Sequence, residues 1–338
     1  MSTTIRKALI SGFGDPSNVS IITAEIPSPS SNEVQVKIIY SGMGGSDIQM
    51  RMGTYPNQKK APFTPGYTLV GRVHQTGSSK SKFNVGDMVA CLSKYDAHAD
   101  LANLPEKYLI PVPEGLDLQQ AVAMVLDWTT AYGMVYRTAK VSKGQRVFIH
   151  GLSGAVGFAI LSLCKLQGAE CYGTASESNH AALLEYGAVP FTYKNKDWMD
   201  SMKNMGGAHI VFDPLGFESY DESWSILAND GHLIGYGGNS KILNGEEPRS
   251  QYPSLGKLMM KNLCMTTKRK ASFFYIDKDQ STFVPELKAL FDLSLQGKIH
   301  VPIKRFLTLE EYPEAHRTWN KTTGIGSVVV KISDDERA

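Results

Sequence analysis

The stretch Val147-Phe148-Ile149-His150-Gly151-Leu152-Ser153-Gly154-Ala155-Val156-Gly157, followed by the apolar run 158–166, admits few architectures. A short apolar strand breaks at glycine, turns through a glycine-spaced loop and enters a helix. That geometry presents backbone N–H groups and a helix N-terminus to a phosphate. The spacing is Gly-x-x-Gly-x-x-Gly rather than the usual Gly-x-Gly-x-x-Gly, so the flanking elements have to support the reading. They do: a second strand-like run, Ala169-Glu170-Cys171-Tyr172-Gly173-Thr174-Ala175, follows the helix and completes a β-α-β unit. Gly151, Ser153, Gly154, Ala155, Val156 and Gly157 are therefore candidate contacts for the pyrophosphate of a nucleotide cofactor.

A chain of 338 residues exceeds one ordinary core, so two domains are expected. Lys and Arg total 35 against 33 Asp and Glu, which gives no long-range field favouring nucleic acid or an anionic membrane. The local run Lys268-Arg269-Lys270 reads as a solvated strand end. No stretch approaches the roughly 20 apolar residues that cross a bilayer. The first residues lack the apolar core of a secretion signal, so a cytoplasmic protein is expected. Cys91, Cys164, Cys171 and Cys264 have no Cys-x-x-Cys spacing, which suggests neither a disulfide framework nor a zinc knuckle. Asp96-Ala97-His98-Ala99-Asp100 reads as a solvated loop rather than a metal cluster, because nothing of matching spacing accompanies it.

Residues 1–118 read as short strands with turn punctuation: 7–10, 19–22, 34–39, 68–73 and 88–92. Between them, Ser46 is expected to cap a short helix ending near Gly53, which leaves Tyr55 in a loop. From 118 the texture changes to alternating helix and strand. One long apolar-periodic helix is expected over 119–136, then helices over 181–185, 198–204, 219–227 and 255–263. Strands alternate with them at 189–193, 209–213, 232–236 and 265–270. The alternation predicts a doubly wound parallel sheet. Beyond about 286 the pattern cannot add another such unit: 284–295 is helical and 328–332 is a terminal strand. The expected organisation is α/β, with 119–286 as the dinucleotide-binding domain inserted into a β-rich domain made of 1–118 and 287–338.

This order resembles the medium-chain dehydrogenase/reductase superfamily over essentially the whole chain. Gly53-Thr54-Tyr55, Pro65-Gly66, Phe83-Asn84-Val85-Gly86-Asp87, Thr130-Ala131-Tyr132, the loop 151–157 and the tail 309–317 carry the likeness. It implies a Rossmann domain set into a GroES-like catalytic domain. Within the superfamily the chain looks like the zinc-free quinone oxidoreductase (zeta-crystallin) branch. It looks most like homologues of the synaptic vesicle amine transport protein, through Gly173-Thr174-Ala175-Ser176 and Phe212-Asp213-Pro214-Leu215-Gly216. Zinc-dependent relatives place a catalytic Cys where Gly44 stands, and a His-Glu pair where Tyr67-Thr68 follows Pro65-Gly66. Glycine has no ligand atom and Tyr and Thr are poor zinc ligands, so no zinc and no other metal are expected in the chemistry.

At the tip of the second strand of such a fold, an acidic residue would bind the ribose 2′-hydroxyl and repel a 2′-phosphate. Here Thr174 and Ser176 stand there instead, which favours NADPH, although Glu177 is close enough to swing in. By resemblance Asn179 lies where relatives often have Lys, Tyr193 lies near the adenine or the phosphate (its other reading is a half-buried strand tyrosine), Thr130 beside the nicotinamide ring, and Gly237 beneath it. The resemblance also implies that a cationic contact before the last strand is replaced here by Gly326-Ser327. Without a metal, the hydride acceptor should be self-polarised: a quinone, an enone or an enoyl thioester. Tyr55 matches the proton-donating Tyr of the related 2-enoyl thioester reductases, and its other reading is an aromatic wall of the pocket. Phe273, Phe274, Tyr275, Met259 and Met260 suggest an apolar lining, and core packing alone would explain most of them.

The leading expectation is an NADPH-dependent, zinc-independent oxidoreductase of quinones or α,β-unsaturated carbonyls. It would act as a homodimer joined near Met265-Thr266-Thr267-Lys268, without nucleic acid or integral membrane association. The alternatives are a dedicated enoyl reductase tailoring one metabolite, and a non-catalytic NADPH-binding partner protein.

Overall fold

The structure, a computed structural model, describes residues 2–239, 249–263, 266–321 and 323–335. By packing the chain divides into two compact units. One comprises Met1–Asp127, Asp277–Thr323 and Ser327–Ala338; the other comprises Trp128–Ile276 and Gly324–Gly326. These limits differ from the expected 118/119 and 286/287. The helix Leu118–Ala123 packs on strands of the first unit, burying Ala121, Val122 and Ala123 there. Among the described residues no helix is long and apolar enough to cross a membrane.

In the first unit, β1 (Ser2–Ile10) and β2 (Val19–Pro27) form an antiparallel ribbon. The larger sheet is built from β3 (Glu33–Met43), β4 (Thr68–Thr76), β5 (Met88–Leu92), β6 (Leu101–Pro105), β7 (Ile110–Pro111), β14 (Ile303–Thr308) and β15 (Ser327–Lys331). Its order is β14-β15-β3-β4-β5-β7, with β6 also on β3. The last strand, β15, runs antiparallel to β3, with Val328 opposite Met43. Val34, Val36 and Ile38 alternate along β3 and are fully buried, as a strand with one face on a core requires.

The helix Gly45–Met52 begins two residues earlier than a Ser46 cap would allow. Gly44 is the cap, and the Asp47 carboxylate reaches back to accept its N–H at 2.9 Å. The helix ends at Gly53, whose φ of 77° is the left-handed turn that glycine permits.

The segment around His98 is not solvated: Ala97, His98 and Ala99 are buried. Main-chain bonds fix it, with Ala8 N–H donating to His98 O at 2.8 Å and His98 N–H donating to Pro65 O at 3.1 Å. Its imidazole Nε2 lies 3.2 Å from Asp47 Oδ1, which also accepts from the Tyr312 hydroxyl at 3.2 Å. His316 completes this buried cluster, edge-on to Tyr312 with ring centroids 4.6 Å apart.

Neither ring nitrogen of His316 has a hydrogen-bond partner among the described residues. Burial pushes its pKa down to about 3; Asp47 opposes the shift, while Arg51 and His98 add to it. The folded pKa thus lies below the unfolded value, so the native state refuses a proton that the unfolded chain accepts. Stability is lost as pH falls from about 6.5 toward 3. His316→Phe should flatten that loss, narrowing the difference in unfolding free energy between pH 7 and pH 5 by about 2 kcal/mol. Urea unfolding at the two pH values checks this, and parallel losses in parent and variant would refute it.

The second unit is a parallel sheet of β8 (Arg146–His150), β9 (Glu170–Ala175), β10 (Ala188–Thr192), β11 (Ala208–Asp213), β12 (Leu227–Gly235) and β13 (Lys270–Phe273). The order is β10-β9-β8-β11-β12-β13, every neighbouring pair parallel. Counted within the unit this is 3-2-1-4-5-6, the doubly wound order whose direction reverses between β8 and β11. Val147, Phe148 and Ile149 are fully buried, as expected of a central strand covered on both faces. Phe148 packs on Trp198 with ring centroids 5.0 Å apart.

Two expectations about this part of the chain are corrected. The segment expected as one helix over 119–136 is interrupted by π-helical turns at Met124–Trp128 and Gly133–Thr138, flanking Thr129–Tyr132. The strand expected over 265–270 lies instead at Lys270–Phe273. There Ala271 is buried, and its N–H and C=O are both bonded at 2.8 Å by the amide of Asn262. Cys264 and Met265 lie outside the described residues, and 266–269 is not strand. Of the two readings of Phe273 and Phe274, core packing is the one supported. Phe273 joins the cluster around Phe148, and Phe274 covers Gly133, where a Cβ would come within 2.7 Å of its ring. Met259 and Met260, by contrast, are exposed.

Candidate functional site

The carboxyl ends of β8, β9 and β11 meet at the point where the sheet order reverses, and the glycine-spaced loop rises from β8 there. Gly151 has φ of 70°, a left-handed turn that other residues adopt only with strain. Gly154 is the N-cap of the helix Ala155–Leu166, and among the described residues no side-chain cap hydrogen bond is made there. Gly157 sits one turn further on. A Cβ there would lie 2.1 Å from Gly151 O, so only glycine lets the helix close this tightly on the loop. An uncapped helix N-terminus beside a bare backbone turn is a seat for the pyrophosphate of a dinucleotide. The residues present fit such a group: Gly151, Ser153, Gly154, Ala155, Val156 and Gly157 form that turn and first helical turn.

A buried chain of hydrogen bonds holds the loop from behind. Gly151 N–H donates to Thr174 Oγ1 at 3.3 Å, and Leu152 N–H donates to Thr174 O at 2.9 Å. Thr174 Oγ1 lies 3.1 Å from His150 Nδ1, and His150 Nε2 lies 3.1 Å from Ser223 Oγ. The Ser223 hydroxyl donates to Asp213 Oδ2 at 2.7 Å. Because that hydroxyl gives its only proton to the carboxylate, its oxygen accepts from His150 Nε2–H. The neutral imidazole then accepts from Thr174 through Nδ1. Burial lowers the pKa of His150 against the pull of Asp213, which agrees with a neutral ring. Asp213 also accepts from Ser219 Oγ and from the N–H groups of Leu215 and Gly216.

Thr174 is 4 % exposed, and its hydroxyl takes part in this chain of bonds behind the loop. Ser176 is partly exposed just beyond it. Glu177 is held 3.7 Å from Lys194 Nζ, both side chains being exposed. Lys194 is a cation at the strand tips that sequence reasoning missed. Its neighbour Tyr193 lies just past β10 and is 57 % exposed. Asn179 is buried and its amide donates to Gly324 O at 3.5 Å. Gly326 N–H donates to Ser153 O at 3.0 Å, so residues of the tail brace the glycine loop. Gly237 packs backbone to backbone: a Cβ there would lie 2.6 Å from Pro214 O. Thr130 is buried in the turn Thr129–Tyr132, between the two π-helical turns. Insertions of this kind recur at functional sites.

Tyr55 belongs to the first unit. Its N–H donates to Gln58 Oε1 at 3.0 Å, its hydroxyl lies 2.9 Å from that of Tyr67, and Lys94 Nζ is 5.4 Å from its ring centre. Among the described residues no group of three or more His, Cys, Asp or Glu side chains is placed to hold a metal.

Two family models match the chain: the alcohol dehydrogenase GroES-like domain over residues 30–114, and the zinc-binding dehydrogenase domain over 186–330. The chain belongs to the medium-chain dehydrogenase/reductase superfamily. Among relatives within that superfamily, the synaptic vesicle membrane protein VAT-1 homolog of Danio rerio is 26% identical over 340 residues, covering 97% of this chain and 70% of that one. The quinone oxidoreductase of Rattus norvegicus is 28% identical over 237 residues, 68% of this chain and 72% of that one. Among solved structures, the mycobacterial Rv1454c complexed with NADPH superposes with a TM-score of 0.83 at 21% identity, over 97% of this chain and all of that one. The JamJ enoyl reductase does so with a TM-score of 0.83 at 23% identity, over 98% of this chain and all of that one. At these identities the structural likeness speaks to the superfamily's fold. The parallel sheet and the GroES-like sheet are its two halves, and the chain is an oxidoreductase by membership.

Proposed function

We propose that this chain is an NADPH-dependent reductase that passes a hydride to a quinone, or to the C=C of an α,β-unsaturated carbonyl, without zinc. The observation that carries the proposal is the uncapped helix N-terminus at Gly154, closed against Gly151 through Gly157, which suits a pyrophosphate. A nicotinamide bound there would supply the hydride. Loop 151–157, Ser176, Asn179, Tyr193 and Gly237 are the residues we assign to holding the cofactor, with Thr130 beside the nicotinamide and Thr174 supporting from within. NADPH rather than NADH is favoured by the missing carboxylate at the tip of β9, by the pairing of Glu177 with Lys194, and by the relative that was solved with NADPH. Zinc independence rests on the donor set: Gly44 offers no ligand atom, and the Tyr67 hydroxyl faces another phenol.

Steady-state oxidation of NADPH and NADH across quinones, small enones and acyl thioesters tests the reading. Turnover of several substrates, with NADPH preferred, is expected. Tyr55→Phe should lower kcat on an enone by about 10²-fold if Tyr55 is the acid, and leave it unchanged if it is only a wall. Exclusive turnover of one thioester would favour the dedicated enoyl reductase, a reading that the pair of phenols and the enoyl reductase neighbour support. Tight NADPH binding with no acceptor at all would favour a non-catalytic partner. A homodimer in the cytoplasm is part of the proposal by family likeness. The backbone of Ala271 is already bonded by Asn262, so the contact would fall on 266–268 or on the exposed Met259 and Met260. A monomer that persists at high concentration in sedimentation would reject it.

A further inference from the structure

A histidine ends the central strand β8, where an apolar residue would complete the run Val147-Phe148-Ile149. The His150 imidazole is buried, edge-on to Phe148 and Trp198 with ring centroids 5.1 and 5.0 Å away. It is bonded on both sides, Nδ1 to Thr174 Oγ1 on β9 and Nε2 to Ser223 Oγ on the helix Ser219–Ser225, each at 3.1 Å. Beyond Thr174 lie the N–H groups of Gly151 and Leu152. Beyond Ser223 lies Asp213, which holds the N–H groups of Leu215 and Gly216. The turn 214–216 is locked in its own right to the loop after β12. Asn239 N–H donates to Pro214 O at 3.0 Å, and Tyr220, on the same helix as Ser223, donates its hydroxyl to Gly237 O at 3.0 Å.

The two ends of this relay stand on opposite sides of one crevice. In a doubly wound sheet a dinucleotide lies outside the carboxyl ends of the strands where their order reverses, here between β8 and β11. The glycine loop 151–157 leaves β8, the turn 214–216 leaves β11, and Gly237 follows β12. The proton count runs one way through the imidazole. Ser223 gives its proton to Asp213, so Nε2–H donates to Ser223 and Nδ1 accepts from Thr174, which turns a lone pair of the Thr174 oxygen to Gly151 N–H. In a buried chain of this kind each bond polarises the next, so a change at one end is felt at the other.

Resting on the functional reading above, we infer that His150 is a positioning residue for the cofactor: it ties the glycine loop to the turn 214–216 and Gly237, so that both edges of the crevice are set together. Thr174 and Ser223 sit on different elements, and the imidazole is what joins their hydroxyls. With phenylalanine at 150 the packing on Phe148 and Trp198 would survive, and the two hydroxyls would be cut from each other. The relay therefore makes a specific demand: what is lost at Thr174 and what is lost at Ser223 are the same interaction.

The test is a double-mutant cycle on the full chain, read as NADPH affinity by calorimetric titration. Thr174→Val and Ser223→Ala are each expected to weaken binding by about tenfold, and Thr174→Ser, which keeps the hydroxyl, by less than about twofold. Because both act through one relay, the double variant is expected to bind about as weakly as either single one. In a His150→Phe background, both substitutions are expected to change affinity by less than about twofold. A second readout needs no nucleotide and only one mild variant. In Ser223→Ala the amides of Gly151 and Leu152 are expected to exchange with deuterium about tenfold faster than in the parent, although the substitution lies on another element. Single variants with parent affinity, losses that multiply to about a hundredfold in the double variant, or amides at 151–152 that exchange as in the parent overturn the inference and leave the functional reading standing. A parent that binds no pyridine nucleotide overturns both.

Discussion

Gly157→Ala is expected to weaken NADPH binding by at least about 10²-fold, while Gly154→Ala is expected to weaken it far less. The difference lies in what each new methyl meets. At 157 it would stand 2.1 Å from Gly151 O and 2.9 Å from Gly151 C, both backbone atoms. The loop cannot retreat, because Thr174 holds Gly151 N–H and Leu152 N–H from the neighbouring strand. The helix must move away instead, taking its N–H groups from the phosphate seat. At 154 the nearest atom is 3.2 Å away, a distance that a shift of a few tenths of an ångström absorbs. Calorimetric titration with NADPH, beside a melting curve for each variant, measures both effects. Equal affinities in Gly157→Ala and the parent would show that the helix does not present its N-terminus to the cofactor.

Asp213→Ala is expected to cost about 3–5 kcal/mol in unfolding free energy. The carboxylate is fully buried and accepts from Ser219, Ser223, Leu215 and Gly216. Alanine strands four donors, three of them buried and that of Leu215 partly so, and each stranded group carries its own desolvation cost. The damage spreads along the chain of bonds: Ser223 loses its acceptor, His150 its fixed orientation, and Thr174 its hold on Gly151. Asp213→Asn should cost less, since one oxygen still accepts. Urea denaturation of the three proteins checks the ranking. A loss below about 1 kcal/mol for the alanine variant would mean that the network is ornamental to stability.

The parts of this account legible in the sequence are those encoded in backbone requirements and period. The loop at 151–157 was readable because glycine there answers a local demand, a left-handed turn and a close approach that involve residues a few positions apart. The strands of the parallel sheet are readable because 147–149 and 210–212 are apolar without alternation, as buried parallel strands must be. What was not legible depends on partners far away in sequence. Thr174 looks like a surface hydroxyl until His150 and Gly151 are seen to claim it. His98, flanked by alanines and aspartates, reads as a solvated loop, whereas main-chain bonds to Ala8 and Pro65 draw it into the core. The run 268–270 likewise reads as exposed charge, yet the guanidinium of Arg269 bonds the carbonyls of Trp224, Leu227 and Ala228. Tyr67 stands out in sequence only as a misfit at a ligand position; its place against Tyr55 belongs to the fold. The basic run hides the short strand Lys270–Phe273, so sequence alone sets the last strand of the sheet too early.

The central claim is that a dinucleotide seats on the glycine loop and that reduction there proceeds without a metal ion. Fluorescence titration of the intact chain with NADPH, joined to turnover on an activated alkene or quinone before and after exhaustive chelation, tests it most directly. Saturable binding, tighter for NADPH than for NADH, with turnover untouched by the chelator is the result this account requires. Failure to bind either nucleotide, or activity that vanishes on chelation and returns with added zinc, would contradict it.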